Sequence, residues 1–360
     1  MAPATSTSGS CNPEEESQLH NDFLLGQRNS KANIPCPDVP EVSGLDTKDY
    51  QTKGEEALVS DIIQSLKRSG GCIIRNMIPQ KSLAQCEKEI RPYLNATEKA
   101  DDEREDFVPS NTRMVTGLLS KSPAYAVTVA GSDIWHRVND YFLTSTLKNA
   151  WHGNQSHTSV SKPQLTTTVT FSVRPGTTAQ GLHRDDDIYH TWHPASKSHH
   201  QGRDTMVCLF VAGSECTREN GATRLVPGSH LWDYSVPPPE NPDNIFAAEM
   251  EPGDVFMMLG GTYHGAGANT TTDQERLVYA AFATRGYLRQ EENQYLANDL
   301  EKIKKLPVDL QLFAGFDVSK PYMGWVGDME DPIERVLGGK SQNAAGDFCV
   351  FVKRLRNEEY

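Results

Sequence analysis

Between residues 166 and 285 the chain breaks into five short runs rich in β-branched, aromatic and aliphatic residues: 166–174, 205–212, 222–226, 254–259 and 276–285. Pro175-Gly176, Pro227-Gly228, Pro252-Gly253 and Gly260-Gly261 punctuate them. Such dipeptides favour turns over continued strands. Short strands separated by turn signals predict a mainly β fold of the sandwich or jelly-roll type. No internal repeat is visible.

The region before these runs reads differently. Leu58, Ile62 and Leu66, with Val59 and Ile63 beside them, recur at helical spacing and end at Gly70-Gly71. Residues 72–78 predict a buried strand. Pro79 opens a second helix reaching about Tyr93, with Leu83, Cys86 and Ile90 on one face. A further helix is expected over 133–147. The stretch 111–119 shows no clear period, and the charged stretch 98–106 reads as a solvated loop. These segments predict helices flanking a sheet. Residues 1–45 read as a flexible arm, 46–290 as the main domain and 291–360 as an extension packing on it.

Composition narrows the function. The 360 residues carry a formal net charge of −13, which argues against nucleic acid as a partner, because a phosphate backbone is bound by clustered cations. No run of about 18 apolar residues marks a membrane span. The N-terminus lacks the apolar core of a signal peptide, and the seven cysteines are scattered without a CxxC. A cytoplasmic location with free thiols is the expectation. The expected partner is a small molecule.

His183 and Asp185 flank Arg184. On an extended strand, positions i and i+2 project from one face. An imidazole and a carboxylate then make two thirds of a 2-His-1-carboxylate metal site. Asp186 and Asp187 are competitors, but the alternation favours Asp185. His264, just past the run 254–259 and its Gly260-Gly261 turn, offers the third ligand from a different strand. Arg276 opens the last run and shares a face with Val278, Ala280 and Phe282. An inward-facing guanidinium needs an anionic partner, and its fork matches a carboxylate. Iron(II), the Asp185 carboxylate, a 2-oxoglutarate dianion and Arg276 together sum to zero charge. A neutral assembly is cheaper to bury than a charged one.

With Asn220-Gly221-Ala222-Thr223 and Pro227-Gly228-Ser229-His230 between them, these residues resemble the phytanoyl-CoA dioxygenase family of iron(II)- and 2-oxoglutarate-dependent oxygenases. The order of motifs carries the resemblance, which covers about residues 55–290. It implies a double-stranded β-helix core, with His183, Asp185 and His264 as iron ligands and Arg276 on the distal carboxylate of 2-oxoglutarate. Thr223 and Gln180 match positions that hydrogen-bond this co-substrate. Dioxygen is the oxidant. The long N-terminal arm and residues 320–325 look most like fungal secondary-metabolism members, which hydroxylate, desaturate or close rings on amino acids, terpenoids and alkaloids. A carboxylate at position 185 argues against halogenation. Members are often dimers, so a homodimer is an expectation.

Candidate substrate residues are Arg113, beside Met114 and Leu118; Tyr189 and Trp192, following the metal motif; and Phe351, near the C-terminus. The histidines 190, 193, 199 and 200 read as an exposed loop or a lid, and His230 as structural. Two other functions fit less well: a fatty acyl-CoA 2-hydroxylase, which needs a basic pocket for CoA phosphates, and a non-catalytic ligand-binding descendant.

Overall fold

A computed structural model describes residues 39–97, 108–239 and 245–340. The chain enters through β1 (Ser43–Asp46), β2 (Gly71–Arg75) and β3 (Thr112–Thr116). A hairpin of β4 (Ser145–His152) and β5 (Gln155–Ser161) leads into the long β6 (Pro163–Val173). The remaining strands are β7 (Met206–Ala212), β8 (Thr223–Leu225), β9 (Phe246–Ala247), β10 (Val255–Leu259), β11 (His264–Ala266) and β12 (Arg276–Arg285). Seven form one sheet in the order β1-β2-β10-β7-β12-β6-β3, and a smaller sheet runs β11-β8-β9. The β1–β2 pairing is parallel and the others are antiparallel. Two facing sheets of this connectivity make the double-stranded β-helix that the resemblance implies.

The large sheet is buried on both sides. Side chains alternate across a strand, so each central strand feeds two cores. Val207, Leu209 and Val211 of β7, with Leu277, Tyr279 and Ala281 of β12, join an outer cluster closed by helices. Met206, Cys208 and Phe210, with Val278, Ala280 and Phe282, join an inner cluster shared with Leu225 and Ala247 of the small sheet. Burial of both faces explains why these strands read as unbroken apolar runs rather than alternating ones.

The helix Glu55–Ser69 lays Leu58, Ile62 and Leu66 on the outer cluster. Gly70 ends it at φ +79°, donating to the Leu66 carbonyl at 2.9 Å. A side chain there would also collide with Thr262, so conformation and space both require glycine. The second helix spans Gln80–Ala96, with Pro79 as its cap.

Two expectations need correction. The helix predicted over 133–147 spans only Asp133–Leu143. Its last residues turn instead into β4, because Gly153 and Asn154 make a two-residue turn that pairs β4 with β5. Gly-Asn is a hairpin signal, and it outweighs the weak helical pattern before it. The stretch without clear period forms β3, paired with β6 at the sheet's edge. After β12, short helices pack Ile303, Phe313, Phe316 and Ile333 into the outer cluster, and Phe313 meets Trp135 edge-on at 5.5 Å. Among the described residues no helix is long and apolar enough to cross a membrane.

Candidate functional site

His183 and His264 face each other across a single antiparallel bridge. Each backbone N–H donates to the other's carbonyl, at 2.9 and 3.0 Å. The extended segment at the motif is shorter than predicted. Arg184 is extended, but Asp185 already opens a one-turn 3-10 helix, Asp185–Tyr189. One extended residue is enough to return the Asp185 side chain to the His183 side. The Asp185 N–H donates to the Gly260 carbonyl at 2.9 Å, so the Gly260-Gly261 turn that delivers His264 also anchors the carboxylate.

The three side chains converge. His183 Nε2 lies 3.4 Å from Asp185 Oδ1, and His264 Nε2 lies 3.4 Å from Asp185 Oδ2. One donor atom from each lies within 4.8 Å of the others. Both imidazoles are oriented from behind. Nδ1 of His183 meets the Gly181 carbonyl at 2.9 Å, and Nδ1 of His264 meets the Thr262 carbonyl at 3.0 Å. A carbonyl only accepts, so each Nδ1 carries the hydrogen and each Nε2 presents its lone pair inward. Burial works against a charged His264 and holds its pKa down. Burial acts the same way on His183, but the Asp185 carboxylate beside it prevails and raises it. Burial would raise Asp185, yet the two imidazoles and a hydrogen bond from Cys208 Sγ, at 3.4 Å, lower it. Two nitrogens and one oxygen on one side fit a facial site with open positions for an octahedral dication such as iron(II).

Arg184 does what sequence reasoning missed. It points the other way, and its guanidinium lies between the rings of Tyr234 and Tyr263, 3.9 and 3.8 Å from their centroids. It donates to the carbonyls of Gly261 at 2.9 Å and Ser229 at 3.2 Å. The residue between the two ligands is thus a buried clamp. Asp186, also buried, accepts from Tyr234 at 3.0 Å, and Asp187 is exposed. Neither competes with Asp185.

The triad opens onto a cavity of about 210 Å³. Arg276 lines it from the start of β12 and is buried. Its Nη1 donates to Thr223 Oγ1 at 3.4 Å, while its Nε finds no partner among the described residues. Nor does any carboxylate among them lie within 4.0 Å of the guanidinium; burial alone pushes its pKa down. A desolvated guanidinium with an unused donor, aimed into a cavity, fits a ligand carboxylate. Gln180 also lines the cavity and accepts from the Ala266 N–H at 3.2 Å.

The substrate candidates fare differently. On β3, Thr112, Met114 and Thr116 line the cavity. Arg113 therefore belongs to the opposite face, and it donates to the Leu94 carbonyl at 3.4 Å. It is a packing residue, displaced from the cavity by the strand's alternation. Leu118 lies in the outer cluster. Tyr189 is outside the cavity wall, its hydroxyl bonded to Thr166 at 2.8 Å, while its neighbour Ile188 lines the wall. Trp192 is 53% exposed and does not line the cavity either. Phe351 lies outside the described residues. The histidine-rich segment is no simple exposed loop. His199 is buried against Asp204 at 2.7 Å, and His193 meets the Arg203 carbonyl at 2.8 Å.

With this geometry in place, the comparisons with known proteins are direct. The family model for phytanoyl-CoA dioxygenase (PhyH) matches residues 66–278. The chain belongs to the phytanoyl-CoA dioxygenase family. It is 42% identical over 281 residues to the dioxygenase cnsJ of Penicillium expansum, covering 78% of this chain and 82% of that one. It is 38% identical to the dioxygenase himG of Aspergillus japonicus, covering 76% and 86%. The solved structure of the α-ketoglutarate-dependent epimerase SnoN from nogalamycin biosynthesis aligns with a TM-score of 0.47 at 18% identity, over 67% of this chain and 89% of that one. The PhyH member described here is a dioxygenase that uses iron(II), with 2-oxoglutarate and dioxygen as co-substrates.

Proposed function

We propose that this PhyH-family dioxygenase oxidises a C–H bond of a small natural-product molecule, with His183, Asp185 and His264 holding iron(II) and Arg276 and Thr223 holding the far carboxylate of 2-oxoglutarate. The observation that carries this reading is the convergence of the triad and the unpaired Arg276 on one cavity. When bound, iron supplies dioxygen activation coupled to decarboxylation of 2-oxoglutarate. One turnover then converts 2-oxoglutarate, dioxygen and R–H into succinate, carbon dioxide and R–OH. In a desaturation or ring closure the substrate instead loses two hydrogens, and water is released.

The chain's own residues supply position and dryness. Arg276 and Thr223 fix one end of the co-substrate while the triad fixes the other. Phe171, Met206, Phe210 and Phe282 line the wall and keep water from the reacting bond. Substrate orientation decides whether hydroxyl returns to carbon or a second hydrogen leaves. The fungal dioxygenases it resembles make natural-product chemistry the favoured setting. A CoA ester is disfavoured: among the described residues the cavity wall carries two arginines, one clamped between tyrosines and the other beside Thr223, and no lysine.

Iron loading and 2-oxoglutarate consumption test the reading together. Wild type is expected to retain about one iron per chain and to form succinate slowly without substrate. Asp185→Ala and His264→Ala are expected to lose both while keeping the native circular-dichroism spectrum. Unchanged iron content in Asp185→Ala would remove the proposed ligand set.

A further inference from the structure

With the triad and Arg276 assigned, two more charged residues border the cavity among the described residues, Arg184 and Glu291. The Arg184 guanidinium is held between two tyrosine rings and donates to two backbone carbonyls. Glu291 differs. Its backbone N–H donates to Thr166 Oγ1 at 2.8 Å, but among the described residues its carboxylate has neither a hydrogen bond nor an ion pair. Its neighbour Glu292 is the opposite case. That carboxylate accepts from the N–H groups of Gly117 at 2.6 Å and Thr168 at 3.2 Å, and from Gln294 at 2.8 Å. Glu292 is thus consumed by the fold, whereas Glu291 faces the cavity with its acceptor capacity unused.

Glu291 is an exposed residue that borders the cavity, and nearby protein still bears on its carboxyl. Burial, with Asp185 and Glu292 adding, pushes it up to about 7. Most of the remaining wall is apolar, including Ile188, Val169, Phe171, Phe210 and Phe282. Among the described residues no lysine lines the cavity, and its two arginines are already engaged, Arg184 by two tyrosines and Arg276 by the proposed 2-oxoglutarate site. A dication, Asp185, 2-oxoglutarate and Arg276 already sum to zero, so an ionised Glu291 leaves one negative charge over. A cation from the substrate would restore neutrality.

Resting on the dioxygenase reading above, we propose that the cavity selects a largely apolar substrate carrying a basic nitrogen, whose ammonium pairs with Glu291. This narrows the substrate classes. A neutral terpenoid would leave the carboxylate without a counter-ion. A simple amino acid would bring a carboxylate for which the wall offers no free cation among the described residues.

The test uses the full chain loaded with manganese(II) and 2-oxoglutarate, which permits binding without turnover. Calorimetry compares three amine probes, tryptamine, phenethylamine and 2-cyclohexylethylamine, with the alcohol that replaces each amine. At least one amine is expected to bind about tenfold more tightly than its alcohol. Glu291→Gln is expected to erase the preference while leaving 2-oxoglutarate affinity unchanged. Glu291→Lys is expected to shift preference to indole-3-acetate. No amine preference in wild type, or a preference that survives Glu291→Gln, overturns the assignment. The 2-oxoglutarate titration separates the two readings: failure to bind it sinks the dioxygenase site, whereas normal binding without amine preference sinks the role of Glu291 alone.

Discussion

The two faces of the large sheet are built from the same strands and do different work. On the outer face, Val207, Leu209, Val211, Tyr279 and Ala281 pack beneath helices in a continuous apolar cluster. On the inner face, the alternate residues Met206, Phe210, Val278 and Phe282 meet a cavity carrying Arg276, Asp185 and two histidines. One face spends its burial on stability. The other holds a guanidinium whose Nε has no partner among the described residues, the place proposed above for a ligand carboxylate. Stability and chemistry are thus separated by a single residue step along β7 and β12.

Substitutions on the two faces sharpen this contrast. The largest effect is expected outside. Leu209→Ala should lower unfolding free energy in urea by about 3 kcal/mol, with the KM for 2-oxoglutarate within about twofold of wild type. A large KM change would show that the faces are coupled. Next comes His230, buried between the end of the helix Glu55–Ser69 and His199, its Nε2 3.2 Å from the Lys67 carbonyl. Burial pushes its pKa down from 6.5 to about 4. The native state therefore binds its proton less readily than the unfolded chain. The associated stability is present above pH 6.5 and is lost as pH falls towards 4, about 3 kcal/mol in all. His230→Gln should flatten that part of the profile in urea melts at successive pH values.

On the inner face, Arg276→Leu should raise the KM for 2-oxoglutarate roughly 100-fold, about 2.7 kcal/mol. The same change should raise the melting temperature of the ligand-free protein, because a desolvated charge is removed. A fall in melting temperature would mean that Arg276 supports the fold as well. The smallest effect is expected for Thr223→Val. Losing its contact with Arg276 should cost about 1 kcal/mol, near fivefold in the same KM.

Legibility from sequence followed burial. The prediction for 276–285 matches β12 residue for residue, and those for β7 and β10 overrun by one residue at the start, since strands buried on both faces are apolar throughout. The His183–Asp185 pair was readable because its geometry is local. Arg276 was readable because a charge interrupts an apolar face. Arg113 failed because β3 has mixed polarity, so nothing in its pattern fixed which alternate residues face inward. The β4–β5 hairpin was hidden by a polar sequence whose one clear mark is Gly153-Asn154. Arg184 and Glu291 left no signal at all: the partners of Arg184 lie 45 to 79 positions away, and Glu291 is 106 positions from Asp185, across the same cavity. Only Tyr234, Tyr263 and the cavity wall give them meaning.

The tyrosine-held Arg184 has a consequence for anyone redesigning this centre. The tripeptide that carries the first imidazole and the carboxylate cannot be treated as two ligands and a spacer. Its middle member is a peg driven through the opposite wall. Lysine at that position would keep the charge but lose the flat stacking surface and the fork, and the two chelating groups would then be free to swivel. Grafting the motif onto another barrel without transplanting both aromatic rings should give a protein that captures metal loosely and releases it readily.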